Sequence, residues 1–267
     1  MNRWSNGADN KGLEESIRHS QFREFIYDKG WVFGDAYRAY FKYGIHTGDK
    51  FVSILKDYIK RFAGDPELTF AQLTEMAAVP GSKFKQLTVV SSNLTRQNPH
   101  IFDNKRTPNL PIWKAVRASM SIPVIFEPIQ IDGEYHVDGG LCWIYPIDVF
   151  DTIINDPNGD EEYLRNPLTL GFYLEQHDLV PDDGEFNPKF TKIKSVRSFA
   201  ISMASFLMEN ANSRHLHPDD KLRTVFIDDL GVSGTDFNTS KEMIDKLIES
   251  GRKATKEYFK ISVDKVA

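Results

Sequence analysis

The chain has 267 residues, 40% of them hydrophobic and 27% charged, a composition that is ordinary for a globular protein and indicates neither disorder nor a fibrous fold. Its 33 basic and 38 acidic residues give a formal net charge of −5, so no basic footprint indicates a nucleic-acid partner. The single cysteine, Cys142, excludes an intrachain disulfide and a cysteine-based zinc cage.

No targeting or membrane-spanning segment is visible in the sequence. The first ten residues lack the apolar stretch of a secretory signal, and no apolar run approaches the roughly 20 residues of a transmembrane helix. We therefore expect a protein that is intracellular or peripheral at a membrane surface.

The first elements predicted along the chain are helices. After Gly48-Asp49, apolar residues recur at helical spacing from Phe51 to Phe62, and Gly64-Asp65-Pro66 ends the pattern. The capping-box spacing of Thr69-Phe-Ala-Gln72 predicts a second, short helix directly afterwards.

A strand and another helix are predicted next. The β-branched run from Leu87 to Asn93 is typical of a strand in a sheet that is covered on both faces. A helix is expected from Ile112 to Ser119, with Pro111 at its first turn. Residues 95–110 are expected to form the loop between them.

The C-terminal half continues the alternation of strands and helices. We predict a buried strand from Leu168 to Leu174 and a last strand from Thr224 to Ile227. An apolar stripe from Phe190 to Met208 favours a core helix, or a partly exposed one if a covering segment is missing. The capping-box spacing of Thr239 and Glu242 predicts a final helix. Such alternation favours a layered α/β fold, and no linker divides the chain, so one domain over residues 1–267 is expected.

A hairpin in the middle of the chain carries the most informative motif. The arms Ile129–Ile131 and Glu134–Val137 flank Asp132-Gly133, a dipeptide that favours a two-residue turn. The second arm leads directly into Asp138-Gly139-Gly140. By itself an Asp-Gly-Gly sequence is more often only a turn.

This hairpin follows Ala118-Ser-Met-Ser-Ile-Pro123, and the combination resembles the patatin-like phospholipase family. The segments Tyr43–Asp49 and Arg223–Gly231 are also similar to that family. The resemblance implies a patatin-like α/β/α sandwich that acts on acyl lipids, at a membrane surface for phospholipids. The family hydrolyses esters with a Ser-Asp dyad that requires no cofactor or metal.

Carried over to this chain, the resemblance assigns the proton acceptor of the dyad to Asp138. Gly139 and Gly140 support the motif, because residues without a Cβ let the turn tighten beside a base that must reach a hydroxyl. One departure follows the motif: Ile144 stands where the family commonly has an Asn, two residues before Pro146.

The nucleophile of the dyad has no counterpart in the sequence. No Gly-x-Ser-x-Gly elbow occurs in the 267 residues, and Gly231-Val-Ser-Gly234 lacks the spacing. The resemblance thus implies a domain that is N-terminally truncated relative to the family and inactive alone. We expect such a chain to self-associate through the exposed sheet edges of Leu87–Asn93 and Leu168–Leu174, or to pair with the missing segment in trans. The alternative is a non-catalytic lipid- or protein-binding module on a degenerate patatin scaffold.

Histidines offer two further candidates. His215 and His217 could supply two metal ligands, but no third ligand stands at a suitable spacing, so loop histidines are the simpler interpretation. Strand alternation places His136 on the same face as Asp138, which makes a contact possible. The family's dyad requires no histidine.

Overall fold

The computed structural model describes residues 43–155, 161–175, 193, 199, 202–203, 206, 217–232, 234 and 239–264. Contacts group the chain into two compact units, Met1–Ile144 with Ile193–Ser213 and Tyr145–Lys192 with Arg214–Ala267. We call them the first and second units and describe each by itself. The assignment of residues 1–267 to one domain stays a prediction.

Short strands alternate with helices in the first unit. Its elements are β1 (Gly44–His46), α1 (Asp49–Ala63), α2 (Phe70–Ala78), β2 (Val89–Asn93), β3 (Asn98–Phe102), α3 (Ile112–Ser119), β4 (Val124–Phe126), β5 (Ile129–Ile131), β6 (Glu134–Asp138) and a 3₁₀ turn (Gly139–Leu141).

A four-stranded antiparallel sheet in the order β3-β2-β6-β5 forms the centre of the first unit. The predicted hairpin is confirmed as β5 and β6, and Asp132 and Gly133 have φ angles of 52° and 81°, as a type I′ turn requires. The prediction of a loop over residues 95–110 is wrong, because β3 lies within it. Pro99 obscures that strand in the sequence, and it is tolerated because β3 is at the sheet edge.

The prediction that Leu87–Asn93 leaves an exposed sheet edge is also wrong, because β2 is paired with β3 on one side and with β6 on the other. Strand β2 is therefore the middle of the sheet around which the candidate site is built.

Helix α3 packs on this sheet and closes the core of the first unit. The core centres on Phe70, Phe102, Ala115 and Ala118, none more than 1% exposed. The capping box of α2 is confirmed by both of its hydrogen bonds. Helix α1 has the predicted apolar face, but none of its residues is fully buried.

The second unit contains a parallel pair of strands packed against a long helix. Its elements are a 3₁₀ turn (Ile147–Phe150), β7 (Thr152–Asn155), β8 (Glu161–Leu164), β9 (Gly171–Glu175), a second 3₁₀ turn (Pro218–Arg223), β10 (Thr224–Asp228) and α4 (Lys241–Asp264). Strands β9 and β10 pair in parallel, and α4 packs against β10.

Two predictions for the second unit need correction. The strand expected from Leu168 begins at Gly171, and it is not buried, because Leu168 is 91% and Leu174 63% exposed. Helix α4 is capped by Ser240, whose Oγ accepts a hydrogen bond from the Met243 amide at 3.2 Å. The predicted cap, Thr239, lies one residue too early.

Most of the apolar stripe from Phe190 to Met208 lies outside the described residues. Its described apolar members are 47–63% exposed, which agrees with the partly exposed alternative: Ile193, Phe199, Met203 and Phe206. The α/β fold class is confirmed, consistent with a patatin-like α/β/α sandwich. Within the described residues no helix has the length and apolar character needed to cross a membrane.

Candidate active site at the end of the hairpin

Asp138 is the last residue of β6 and connects the two motifs that the sequence singled out. It pairs with Ser91 in the middle strand of the sheet. Its backbone amide donates a 3.0 Å hydrogen bond to the carbonyl oxygen of Ser121, in the Ala-Ser-Met-Ser-Ile-Pro segment. The Asp-Gly-Gly motif and the Ala-Ser-Met-Ser-Ile-Pro motif are therefore in direct contact in the fold.

The side chain of Asp138 is held within its own turn. Its Oδ1 accepts a hydrogen bond from the Gly140 amide at 2.7 Å. Burial raises the pKa of Asp138 from 3.8 to about 6, against the lowering effect of that hydrogen bond. Desolvation prevails because the Gly140 hydrogen bond is the only opposing influence on the Asp138 pKa among the described residues. A carboxyl group with this pKa is mostly ionised at neutral pH and is a stronger base than an exposed aspartate.

Gly139 lies so close to β2 that there is no room for a side chain at this position. A Cβ at this position would lie 2.5 Å from the carbonyl oxygen of Val90, which is backbone of β2. The turn is also fastened to β2 by Ser92, whose Oγ accepts a hydrogen bond from the Cys142 amide at 3.1 Å and lies 3.4 Å from the Gly139 oxygen. Gly139 therefore lets the turn lie directly on the sheet, while the Gly140 amide orients the carboxylate.

Arg117 supports the segment that receives the Asp138 amide, and sequence reasoning did not find it. Its side chain is buried at 4% exposure, and Nη2 donates to the carbonyl oxygens of Thr47 at 2.6 Å and Glu127 at 2.9 Å. Nη1 donates to the Ser121 hydroxyl, which itself donates to the Arg117 carbonyl at 2.6 Å. The sequence did offer one indication of its importance, because Arg117 is a charged residue on the buried side of the short helix α3.

The same guanidinium explains a glycine in the first motif along the chain. A Cβ at Gly48 would lie 2.6 Å from the Arg117 Nε. The Tyr43–Asp49 segment and the serine-rich motif therefore depend on one another through Arg117.

The hydrogen-bond partner of the His136 side chain is Ser91 and not Asp138, the predicted proton acceptor. Its Nδ1 lies 2.9 Å from the Ser91 Oγ, and its ring packs against His100 and Phe102. Burial, together with the nearby His100, lowers the pKa of His136 to about 4, so the ring is neutral at physiological pH. A serine hydrogen-bonded to a histidine resembles an activated nucleophile, but Ser91 is 0% and His136 1% exposed. No ester carbonyl can reach this pair, and we interpret it as a structural hydrogen bond.

The other candidates do not form a second site. The Nδ1 of His217 accepts hydrogen bonds from the Arg165 guanidinium at 2.8 Å and the Asp219 amide at 3.3 Å. His217 thereby caps a 3₁₀ turn, whereas His215 and Ser233 lie outside the described residues. Over the ranges that the structure describes, no cluster of three or more His, Cys, Asp or Glu side chains is arranged to hold a metal ion.

Comparison with known proteins places this site inside a recognised sequence family. The family model described as patatin-like phospholipase matches residues 6–151, more than half of the chain and the part that contains Asp138. A shorter match, 35% identical over 65 residues, links 24% of the chain to 22% of a protein of Invertebrate iridescent virus 6 described as a probable lipid hydrolase, 463L.

Longer matches extend over most of the chain. The uncharacterized protein R571 of Acanthamoeba polyphaga mimivirus is 26% identical over 242 residues, which cover 87% of this chain and 72% of R571. The uncharacterized protein YqhO of Bacillus subtilis is 26% identical over 234 residues, covering 83% of this chain and 69% of YqhO.

Among solved structures, VipD from Legionella pneumophila aligns with 94% of this chain at 16% identity and a TM-score of 0.44. The chain spans about half of VipD, 47% of its length.

Proposed function

Because the chain belongs to the patatin-like phospholipase family, we propose that it contributes the general base, Asp138, of a lipid acyl-ester hydrolase. The observation that carries this proposal is the setting of Asp138. The carboxylate is partly buried, it is oriented by the Gly140 amide, and burial raises its pKa to about 6. These features suit a group that accepts a proton at neutral pH.

The proposed reaction has two halves in which Asp138 has the same task. In the first, the Asp138 carboxylate takes the proton of a serine hydroxyl while the serine oxygen attacks the ester carbonyl. The tetrahedral intermediate collapses, the alcohol leaves with the proton, and an acyl-serine remains. In the second half, Asp138 takes a proton from water while the water oxygen attacks the acyl-serine, and the serine oxygen leaves with that proton, which releases the fatty acid and regenerates the carboxylate.

The serine in this scheme lies outside the 267 residues. No Gly-x-Ser-x-Gly occurs in them, and the Ser91 hydroxyl, which is hydrogen-bonded to His136, is inaccessible. We propose that the nucleophile is supplied by a preceding segment of the same polypeptide or by a separate polypeptide in trans. The 267 residues alone are then inactive.

Lipid esters are the proposed substrate class, since the family is one of phospholipases and a viral relative is described as a probable lipid hydrolase. Self-association belongs to the same proposal. Its remaining structural support is the backbone edge of β9, which pairs with β10 alone among the described residues.

Labelling with a fluorophosphonate, which reacts with activated serines, tests the proposal. We expect chain 1–267 to remain unlabelled and to hydrolyse p-nitrophenyl butyrate no faster than buffer. A polypeptide in which the family's Gly-x-Ser-x-Gly segment precedes residue 1 should be labelled at the elbow serine. If mass mapping instead finds a labelled serine within residues 1–267 of an active chain, the nucleophile assignment is refuted. If the extended polypeptide stays unlabelled and inactive, the non-catalytic module is the better account.

A further inference from the structure

The second unit leaves an apolar strip uncovered next to its long helix. Val225 and Ile227 of β10 lie opposite Phe172 and Leu174 of β9 and share one face of the strand pair with them. Helix α4 packs on the β10 side of this face, where Val225 is 1% exposed. On the β9 side, Phe172 and Leu174 are 55% and 63% exposed.

The space between Phe172 and α4 is an open groove of about 1240 Å³. Its floor is apolar, formed by Phe172, Ile227 and Ile248, and Phe259 adds a half-exposed aromatic ring. The groove is large enough for part of a lipid molecule, since pockets for drug-sized ligands are roughly 300–1,000 Å³.

One wall of the groove is positively charged. Arg252, Lys256 and Lys260 follow at intervals of four residues along α4 and line the groove together with a single acid, Glu249. The Glu249 carboxylate lies 3.7 Å from the Arg252 guanidinium. Lys256 and Lys260 form no ion pair with any residue that the structure describes. The groove is therefore cationic in a protein whose formal net charge is −5.

We propose that this groove docks the protein on an anionic phospholipid surface. Lys256 and Lys260 bind lipid phosphates, and the exposed rings of Phe172 and Phe259 enter the acyl boundary beneath them. Apolar side chains flanked by lysines are the combination that interfacial membrane binding uses. Two copies facing each other through this groove would bring like charges together, which opposes a symmetric dimer here.

The docking site rests on the proposed function in one respect, because it would bring a lipid hydrolase to its substrate. Its residues do not include Asp138, and binding to vesicles requires no turnover. The two proposals can therefore fail separately.

Vesicle co-sedimentation of chain 1–267 tests the site. Vesicles of phosphatidylcholine alone are compared with vesicles containing about 30% phosphatidylserine, and binding is expected only to the latter and to weaken with added salt. The double variant Lys256→Glu/Lys260→Glu should lose about tenfold or more in affinity, since each basic residue near such a surface is worth about a fivefold factor. Phe172→Ser should weaken binding while the salt dependence remains.

The matched control is Lys241→Glu/Lys253→Glu. It makes the same change of charge at exposed positions of the same helix, outside the groove lining. It should bind anionic vesicles more tightly than the groove variant, and the melting curves of all variants report folding. Asp138→Asn should bind like the parent.

Several results would overturn the docking site: no binding to anionic vesicles, equally tight binding to neutral ones, or equal losses in the two charge-reversal variants. A dimer in vesicle-free solution that only the groove variant dissociates would show that a second copy occupies the groove. Binding as expected, with no esterase activity in the extended polypeptide, would refute the proposed function and leave the docking site in place.

Discussion

At the scale of single residues, Asp138 is held in a setting that disfavours its charged form. Its pKa of about 6 lies above the 3.8 of an ordinary aspartate, so the folded protein retains a proton that the unfolded chain has released. Stability is therefore lost as the pH rises from 3.8 through about 6. The raised pKa that suits the proposed base therefore costs the protein stability at neutral pH.

We predict that Asp138→Asn stabilises the chain at pH 7 by about 1–3 kcal/mol, because asparagine has no charge to desolvate and still accepts the Gly140 hydrogen bond. Denaturant unfolding of both proteins at a series of pH values measures this difference. The difference in unfolding free energy should reach its full size above about pH 6 and vanish below about pH 4, where both side chains are neutral. A variant that is less stable than the parent at pH 7, or a difference independent of pH, would show that burial does not perturb Asp138.

The contribution of His136 to stability depends on pH in the opposite sense, so Asp138→Asn and the parent are compared at the same pH. Its pKa is lowered from 6.5 to about 4. The stability that the neutral ring contributes is therefore present above pH 6.5 and lost as the pH falls toward 4. Both proteins contain His136, and its contribution cancels in their difference.

At the scale of elements, the Asp138 turn lies against β2 with no room for another atom. We predict that Gly139→Ala destabilises the chain by about 1–3 kcal/mol, because the new methyl group would meet the Val90 carbonyl and force the two backbones apart. Gly234→Ala is the matched control, since a Cβ there has no atom within 4 Å. Unfolding free energies of the two variants decide this. Equal stabilities would mean that the turn is not packed on the strand.

Arg117, itself buried, connects α3 to the residues that follow β1 and β4 through two partly buried carbonyl acceptors, those of Thr47 and Glu127. We predict that Arg117→Met costs about 2–4 kcal/mol, because the carbonyl oxygens of Thr47 and Glu127 lose their donors inside the protein. Arg106→Met serves as the comparison. The Arg106 side chain is 53% exposed and paired with Asp103, so its loss should cost less than about 1 kcal/mol. Chemical unfolding measures both, and a similar cost at the two sites would contradict the bridging role of Arg117.

At the scale of the whole molecule, local chemistry made part of the fold predictable. The Asp132-Gly133 turn, the Thr69–Gln72 capping box and the helix after Pro111 depend on neighbouring residues, and all three form as expected. Strand β3 was missed because Pro99 disfavours strands, and its place at the sheet edge is a property of the whole sheet.

Burial and electrostatics were less predictable because they depend on distant parts of the chain. The sequence of β9 favours a buried strand, yet α4 covers only the neighbouring β10. Asp138 came from the family resemblance, but its raised pKa depends on burial, which the motif does not show. Arg117 was missed because its acceptors, Thr47 and Glu127, lie on two other segments.

Turnover by the extended polypeptide, in which the elbow segment precedes residue 1, shows whether Asp138 is the base of an ester hydrolase. We predict that Asp138→Asn lowers kcat on p-nitrophenyl butyrate by about 10²–10⁴-fold, because asparagine cannot accept the serine proton. Asp148→Asn, at another aspartate whose pKa burial raises, should leave kcat unchanged. In the parent, kcat/KM should rise with pH through about 6 as Asp138 ionises. An Asp138→Asn variant that turns over as fast as the Asp148→Asn control would remove Asp138 from the mechanism.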